Sequence, residues 1–460
     1  MGDDSYQSLT CTKRLIWNFC GSGAILLTDA GWGDSGKGKC VSALAPEIGA
    51  KIIGGHNAGH TVVTDKGELG LGLVPSTIIH PGTLNILGQE VVINPLFLLN
   101  EIEKLKEFGI RVSPKNFLID PRAHLVMPWH EIRDALSEEA RGKLAIGSLH
   151  LGVGWTYSDR INRRGLRLLD ILGSDWKEKI KLEYKNQLGV IDDASRDVKR
   201  KTGKASRVKT DLTLRRVLEV AKEAKRLAAF AANTTEIIWR AVDKNAKILF
   251  EDSHGAMLDV AHGSWPFTTG VNTGLGGLYR SFGGKAVRSL RKIVVCSKAY
   301  QTRVGGGPMP TEDFGKFGEY VRQKGHEIGT RSGRARRCGA FDAPLVKYGL
   351  NALGLSADDE IALTKLDVLS GLAVIPVCVS YVYKKRDYKM TPSTSADFLQ
   401  KVKPRIVKVK GWQEDISAVR RFRDLPKEAQ DYASFIEKLL ERKITFIGVG
   451  KHKDAKILPS

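Results

Sequence analysis

No apolar run in this 460-residue chain approaches the roughly 18 to 20 residues that a membrane-spanning helix needs. A helical membrane protein is excluded on that ground. Cysteine is scarce: the six residues at positions 11, 20, 40, 296, 338 and 378 form no C-x-x-C pair. That spacing argues against a disulfide framework or a zinc site and for reduced thiols. There is no internal repeat, no low-complexity tract and no Pro/Gly/Ser linker. The expected division is an N-terminal extension over 1–22 and one large domain over 23–460. Acidic residues are outnumbered, 51 against 72 basic, for a net charge of +21. Such an excess suggests anionic partners, either polynucleotides or small phosphates and carboxylates. The densest basic stretch, 195–209, contains no aromatic residue on which a base could stack. It reads as a solvated surface insertion, so nucleic-acid binding is disfavoured.

The opening MGDDSYQS carries acids where a signal peptide has a basic stretch, and Tyr6 where the N-myristoylation pattern requires Ser or Thr. A cytoplasmic, non-membrane protein is expected. A short apolar run predicts a strand at about 23–28, followed by a glycine loop and a helix from Gly38 to Pro46. Residues 51–63 read as strand, glycine turn, strand. Helical periodicity covers 95–108 and again 212–242; 247–255 reads as a buried strand running into a loop, and further strands are expected at 292–297 and 374–384. Strands alternating with helices point to an α/β fold: a P-loop NTPase-like domain with a central, mostly parallel sheet and helical insertions.

The loop Asp29–Cys40, DAGWGDSGKGKC, fits the first seven positions of a phosphate-binding loop from Gly31 to Lys37. Backbone N–H groups at a helix N-terminus, with the charge of Lys37, suit an anion. The hydroxyl that ordinarily follows the lysine to hold Mg²⁺ is missing, since Gly38 stands there, and Asp34 sits where phosphates arrive. A carboxylate there is tolerable if it replaces the hydroxyl as an oxygen ligand to Mg²⁺. Further glycine loops, GGHNAGH, VNTGLGGLYRSFGG, RVGGGP and GTRSGRARRCG, suggest a site holding several anionic groups.

GWGDSGKGK with GGHNAGHT resembles the adenylosuccinate synthetase family. The likeness continues in order through RINRRGLRLLDIL (160–172), MLDVAHGSWPFTT (257–269), QTRVGGGPMPTE (301–312), GTRSGRARRCG (329–339) and TKLDVLSGL (364–372), covering about 23–455. The resemblance implies a GTP-dependent ligase that joins L-aspartate to IMP, working as a homodimer with Mg²⁺. It implies Asp34 as the catalytic base and His60 as the acid that stabilises the transferring phosphoryl group, with Asp34 and the Gly59 carbonyl on the metal. It places Gly33, Ser35, Gly36, Lys37, Gly38, Lys39, Gly59, Thr61, Arg336, Lys365, Asp367 and Gly450 around GTP. The nucleotide substrate falls to Asp34, Lys37, Asn57, His60, Ser148, His254, Thr269 and Arg334, with Arg163 supplied by the partner subunit. The amino acid falls to Thr330, Ser332, Arg334 and Arg336, whose guanidinium forks suit carboxylates. Asp367 can accept from guanine N1–H and its 2-amino group, donors that adenine lacks on that edge.

The chain departs from the family pattern at four places: Ser35 for a glutamate, the loop Ser148–Trp155 (with Leu149 and His150), which lacks the family loop's second hydroxyl and its arginine, His254 for a glutamine, and Arg331 for a threonine. They leave open another purine nucleotide such as dGMP, another amino acid, or a lapsed enzyme that only binds nucleotides or nucleic acid. In the phage branch that uses dGMP the catalytic Asp is replaced by a small residue. Asp34 is retained here, which favours IMP.

Overall fold

The computed structural model describes residues 23–329, 333–356 and 358–458. The extension over 1–22 and residues Thr330, Arg331 and Ser332 lie outside the described residues. The expected α/β architecture is present. One nine-stranded sheet consists, in chain order, of β1 (Gly23–Asp29), β2 (Ile48–Lys51), β3 (Leu84–Leu87), β4 (Phe117–Ile119), β5 (Lys247–Glu251), β6 (Leu290–Lys298), β7 (Glu360–Thr364), β8 (Ile444–Gly448) and β9 (Lys456–Ile457). Their spatial order is β9-β8-β7-β6-β1-β5-β2-β3-β4. Neighbours run parallel throughout, save β9, which is antiparallel to β8.

β1 lies in the middle, and its sequence shows why. Strands of a parallel sheet are covered on both faces and so read as unbroken apolar runs. Ala24 and Leu26 enter the main core on one face, while Ile25 and Leu27 pack on the other against Cys40, Val41 and Leu44 beneath the phosphate loop. A separate core under the β3–β4 edge is built by α2 (Pro128–Arg141), α4 (Trp176–Thr202) and the helix Leu214–Ala224. α3 (Val153–Ile161) flanks the cleft described below. The loops leaving β1, β2, β5, β6 and β7 emerge on the carboxyl edge of the sheet, where ligands of open α/β sheets are held.

Several local expectations are corrected. The helix after the phosphate loop, α1, spans only Lys37–Val41. It stops because the Ser42 hydroxyl donates to the Lys39 carbonyl at 2.6 Å and Pro46 follows. The second strand of 51–63 begins only at His60 and pairs with Gly67–Leu71 in a separate hairpin. The helical stretch 212–242 breaks into Leu214–Ala224, a 3₁₀ turn at Lys225–Phe230, and Thr234–Asp243, restarted by Asn233, whose side chain accepts from Glu236 N–H. The basic stretch 195–209 is the end of α4 and the turn after it. Its charges pair along the helix, Arg196 with Asp193, and Arg200 and Lys201 with Asp197. Among the described residues no helix is long and apolar enough to cross a membrane.

Candidate active site

The phosphate loop hangs from the carboxyl end of β1. Asp29 accepts the Gly31 N–H at 2.6 Å, and Gly255 packs so close that a Cβ there would lie 2.3 Å from the Gly31 carbonyl. Lys37 is buried, donates to the His254 carbonyl at 3.3 Å and stands 3.8 Å from Asp29. Burial alone would lower its pKa. Asp29 and Asp252 outweigh that and raise it, so Lys37 is a fixed cation. The lost hydroxyl of the loop has a steric cause: a Cβ at Gly38 would lie 2.6 Å from the Thr61 carbonyl. Gly38 thereby lets the strand that begins with His60 and Thr61, just after Gly59, press against the loop. Asp34 adopts φ 57°, a strained value for a non-glycine residue that turns it out of the loop into the cleft. Ser35 is buried. Its hydroxyl faces the Gly33 carbonyl at 3.4 Å, and its own carbonyl accepts from Thr364 at 2.8 Å.

His60 is buried, and its Nδ1 contacts the Glu251 carboxylate at the end of β5. Glu251 also accepts from the Ser76 hydroxyl at 2.7 Å and from its N–H at 2.8 Å. Burial would raise the Glu251 pKa, but the neighbouring His60 and Lys51 bring it down to about 2. Burial lowers the His60 pKa, with Lys51 and Lys37 adding to it against Glu251. The anchored imidazole leaves Nε2 with no partner among the described residues. The Asn57 Oδ1 and the His254 Nε2 are likewise unpartnered. His254 is held neutral, its pKa lowered to about 3 by burial and by Lys37 and Lys51.

Asp34, Asn57 and His254 face a cleft of about 820 Å³ whose walls also include Gly33, Gly59, Ser148 and Thr269, while Ser35, Lys37 and His60 are not among its wall residues. One wall is the loop 146–152, drawn in by two carboxylates of α2. Glu138 accepts from the N–H groups of Gly147 (2.8 Å) and Ser148 (3.1 Å). Asp134 accepts from the Ser148 hydroxyl (2.8 Å) and Gly152 N–H (3.0 Å). Arg336 enters from the other side, its Nε donating to Asp34 at 3.0 Å and its Nη1 to Glu327 at 2.7 Å. Arg334 is exposed and donates to the Gly147 carbonyl at 3.3 Å. Arg163 is exposed beyond the end of α3 and is not part of the cleft wall.

Lys39, Lys365, Asp367 and Gly450 do not line this cleft. Lys365 and Asp367 follow the carboxyl end of β7 and Gly450 that of β8, and Lys39 reaches towards them from α1. Lys39 donates to the His452 carbonyl at 2.6 Å and packs beside Gly448, and burial lowers its pKa to about 8. Burial raises the Asp367 pKa, opposed by Lys365 and Lys39. Sequence reasoning missed Glu251, Glu327, Lys298 and Arg303. Arg303 stacks over Trp32 with its guanidinium 4.9 Å from the ring centroid and donates to Ser264 at 2.9 Å. Burial, helped by Arg337, lowers its pKa to about 9. The one available signal was an acid closing the apolar run KILFE.

The family model of adenylosuccinate synthetase matches residues 26–457. The adenylosuccinate synthetase of Bifidobacterium adolescentis is 39% identical over 435 residues, covering 94% of this chain and 97% of its own. That of Clostridium beijerinckii is 36% identical over 435 residues, covering 94% and 98%. The fully ligated adenylosuccinate synthetase of Plasmodium falciparum superposes with a TM-score of 0.84 at 31% identity, over 96% of this chain and 100% of that one. The cyanophage S-2L succinoaminodeoxyadenylate synthetase, bound to dGMP and dATP, reaches a TM-score of 0.58 at 18% identity over 95% of each chain, a likeness of fold alone.

Proposed function

The chain belongs to the adenylosuccinate synthetase family and joins L-aspartate to IMP with GTP, and we propose that Asp34 and His60 carry the chemistry. Asp34 takes the N1 proton of the hypoxanthine, so that O6 attacks the γ-phosphorus of GTP and GDP leaves. The aspartate amine then displaces phosphate from C6. The observation that carries this reading is the placement of Asp34, turned out of the phosphate loop into a cleft it shares with Asn57, His254 and Thr269.

His60 is the group that steadies the transferring phosphoryl. Glu251 fixes its ring through Nδ1, leaving Nε2 for the site. Nucleotide phosphates set against Lys37 oppose one of the positive charges that hold His60 neutral, and so favour its protonated form. The oxygen donors fit Mg²⁺: the Asp34 carboxylate and Gly59 line the same cleft, and Gly38 leaves no room for the usual hydroxyl. Bound there, Mg²⁺ would neutralise phosphate charge. Arg336 and Arg334, with Thr330 and Ser332, hold the aspartate carboxylates, while Lys365, Asp367 and Gly450 hold the guanine. Gly33, Ser35, Gly36, Lys37, Lys39 and Thr61 surround the GTP phosphates. Ser148, Thr269 and Asn57 meet the nucleotide substrate, with His254 at its base. Exposed Arg163 serves the 5′-phosphate of a second copy in a homodimer. We place the enzyme in the cytoplasm, in keeping with the free, buried Cys40, Cys296, Cys338 and Cys378.

The test is phosphate release with Mg²⁺ that requires IMP, GTP and aspartate together. A panel of IMP, dIMP, GMP and dGMP should show IMP as the preferred substrate. No release with all three substrates present, or a preference for dGMP, sinks the reading.

A further inference from the structure

Glu327 has no role in the steps above, yet four groups converge on its carboxylate. Arg336 Nη1 lies at 2.7 Å, Lys298 Nζ at 2.9 Å, the Tyr300 hydroxyl at 2.5 Å and Lys365 Nζ at 3.6 Å. The side chain is wholly buried. Burial would raise its pKa, but Lys298, Lys365 and Arg336 overcome that and hold it far down as an anion.

Its backbone is engaged as well. Arg336 N–H donates to the Glu327 carbonyl at 2.9 Å, Gly329 N–H donates to Arg334 at 2.8 Å, and Ile328 bridges Ala335 antiparallel. Residues 327–329 and 334–336 are thus paired antiparallel as two sides of a stem. Glu327 and Arg336 are paired twice, once through the backbone and once through their side chains. With one nitrogen committed to Glu327, the guanidinium can turn only its remaining edge to the cleft, where Nε meets Asp34. Lys365 reaches the same carboxylate from the carboxyl end of β7. It is held in the left-handed region at φ 63° and donates also to the Gly325 carbonyl at 2.7 Å.

We infer that Glu327 is a positioning residue shared by the two half-sites: it aims Arg336 at the amino-acid carboxylate and sets Lys365 beside the guanine. The inference rests on the roles given to Arg336 and Lys365 above. It follows that loss of the Glu327 charge weakens aspartate and GTP together and moves the IMP KM least, because Arg336 reaches the IMP residues only through Asp34.

The experiment is steady-state kinetics on the full chain, comparing wild type, Glu327→Gln and Tyr300→Phe. Wild-type turnover is the control on the functional reading itself; its absence condemns that reading whatever Glu327 does. Glu327→Gln should raise the aspartate KM about tenfold or more and the GTP KM several-fold, with the IMP KM within about twofold. Tyr300→Phe keeps every charge and removes one hydrogen bond to Glu327. It should raise the aspartate KM about threefold with little change in melting temperature. A purely structural role would change stability and the amount of active enzyme but not the ratio of the three KM values. Unchanged aspartate and GTP KM values, or an equal rise in all three, overturns the inference. If Glu327→Gln does not fold, Tyr300→Phe decides alone.

Discussion

Gly38→Ser would restore the hydroxyl that phosphate loops ordinarily carry, and it should disable the enzyme. A Cβ at Gly38 would lie 2.6 Å from the Thr61 carbonyl oxygen and 3.2 Å from its carbon, where ordinary contact begins near 3.4 Å. About 0.8 Å must therefore be absorbed, and by backbone on both sides. Overpacking of this kind costs typically ~1–3 kcal/mol. The displaced strand begins at His60, so the shift passes directly to the imidazole. A reacting group moved by ~1 Å can lose about a hundredfold in rate. The expected result is a fall of about a hundredfold in kcat, with a thermal midpoint only a few degrees lower. Gly38→Ala brings the same Cβ without the hydroxyl and should behave alike, which separates crowding from chemistry. A Ser variant that keeps wild-type turnover within about threefold, or an Ala variant that fails where Ser succeeds, would refute the steric account.

Asp34→Asn should reduce kcat by roughly 10²–10⁴ while GTP still binds, as read by single-turnover phosphate release and nucleotide titration; unaltered kcat removes Asp34 as the base. Asp367→Asn should raise the GTP KM about thirtyfold, close to 2 kcal/mol, and narrow the preference for GTP over ATP in competition assays. Glu251 has its pKa lowered on folding to about 2 from 4.5. It therefore adds stability that is complete above pH 4.5 and lost as pH falls towards 2. Denaturation followed across that window should show the decline in wild type and a flatter curve for Glu251→Gln.

The elements with strong periodicity were legible in sequence. β1, β5, β6 and the helix Pro95–Glu107 lie where the apolar spacing puts them. The break of 212–242 was not legible, because the new start depends on a single capping residue, Asn233, inside an otherwise continuous apolar pattern. In the site, motif residues were found because glycine and lysine spacing is local. Asp34, Asn57, His254 and Thr269 do share one cleft. Glu327 and Glu251 were missed because their importance lies in what converges on them from strands far apart in the chain. An isolated acid in HEIG or FEDS carries no pattern of its own. Why Gly38 replaces a hydroxyl was equally invisible, since the obstacle is a carbonyl 23 positions away.

The placement of β1 also bears on how the chain comes off the ribosome. β1 is the first strand among the described residues and the middle of the sheet, yet its two neighbours, β5 and β6, begin at Lys247 and Leu290. In the pairing register Gly23 faces Lys247, 224 positions later. At roughly 5–20 residues per second, Ile25, Leu26 and Leu27 wait some 10–45 seconds with both strand edges unpaired. The phosphate loop waits with them, because Gly255 and Thr364, which shape it, are translated later still. The nascent protein thus spends about half of its synthesis with this central, buried strand unpaired. That is the interval in which holding chaperones are needed most, and no amino-terminal fragment short of β6 has a finished nucleotide site.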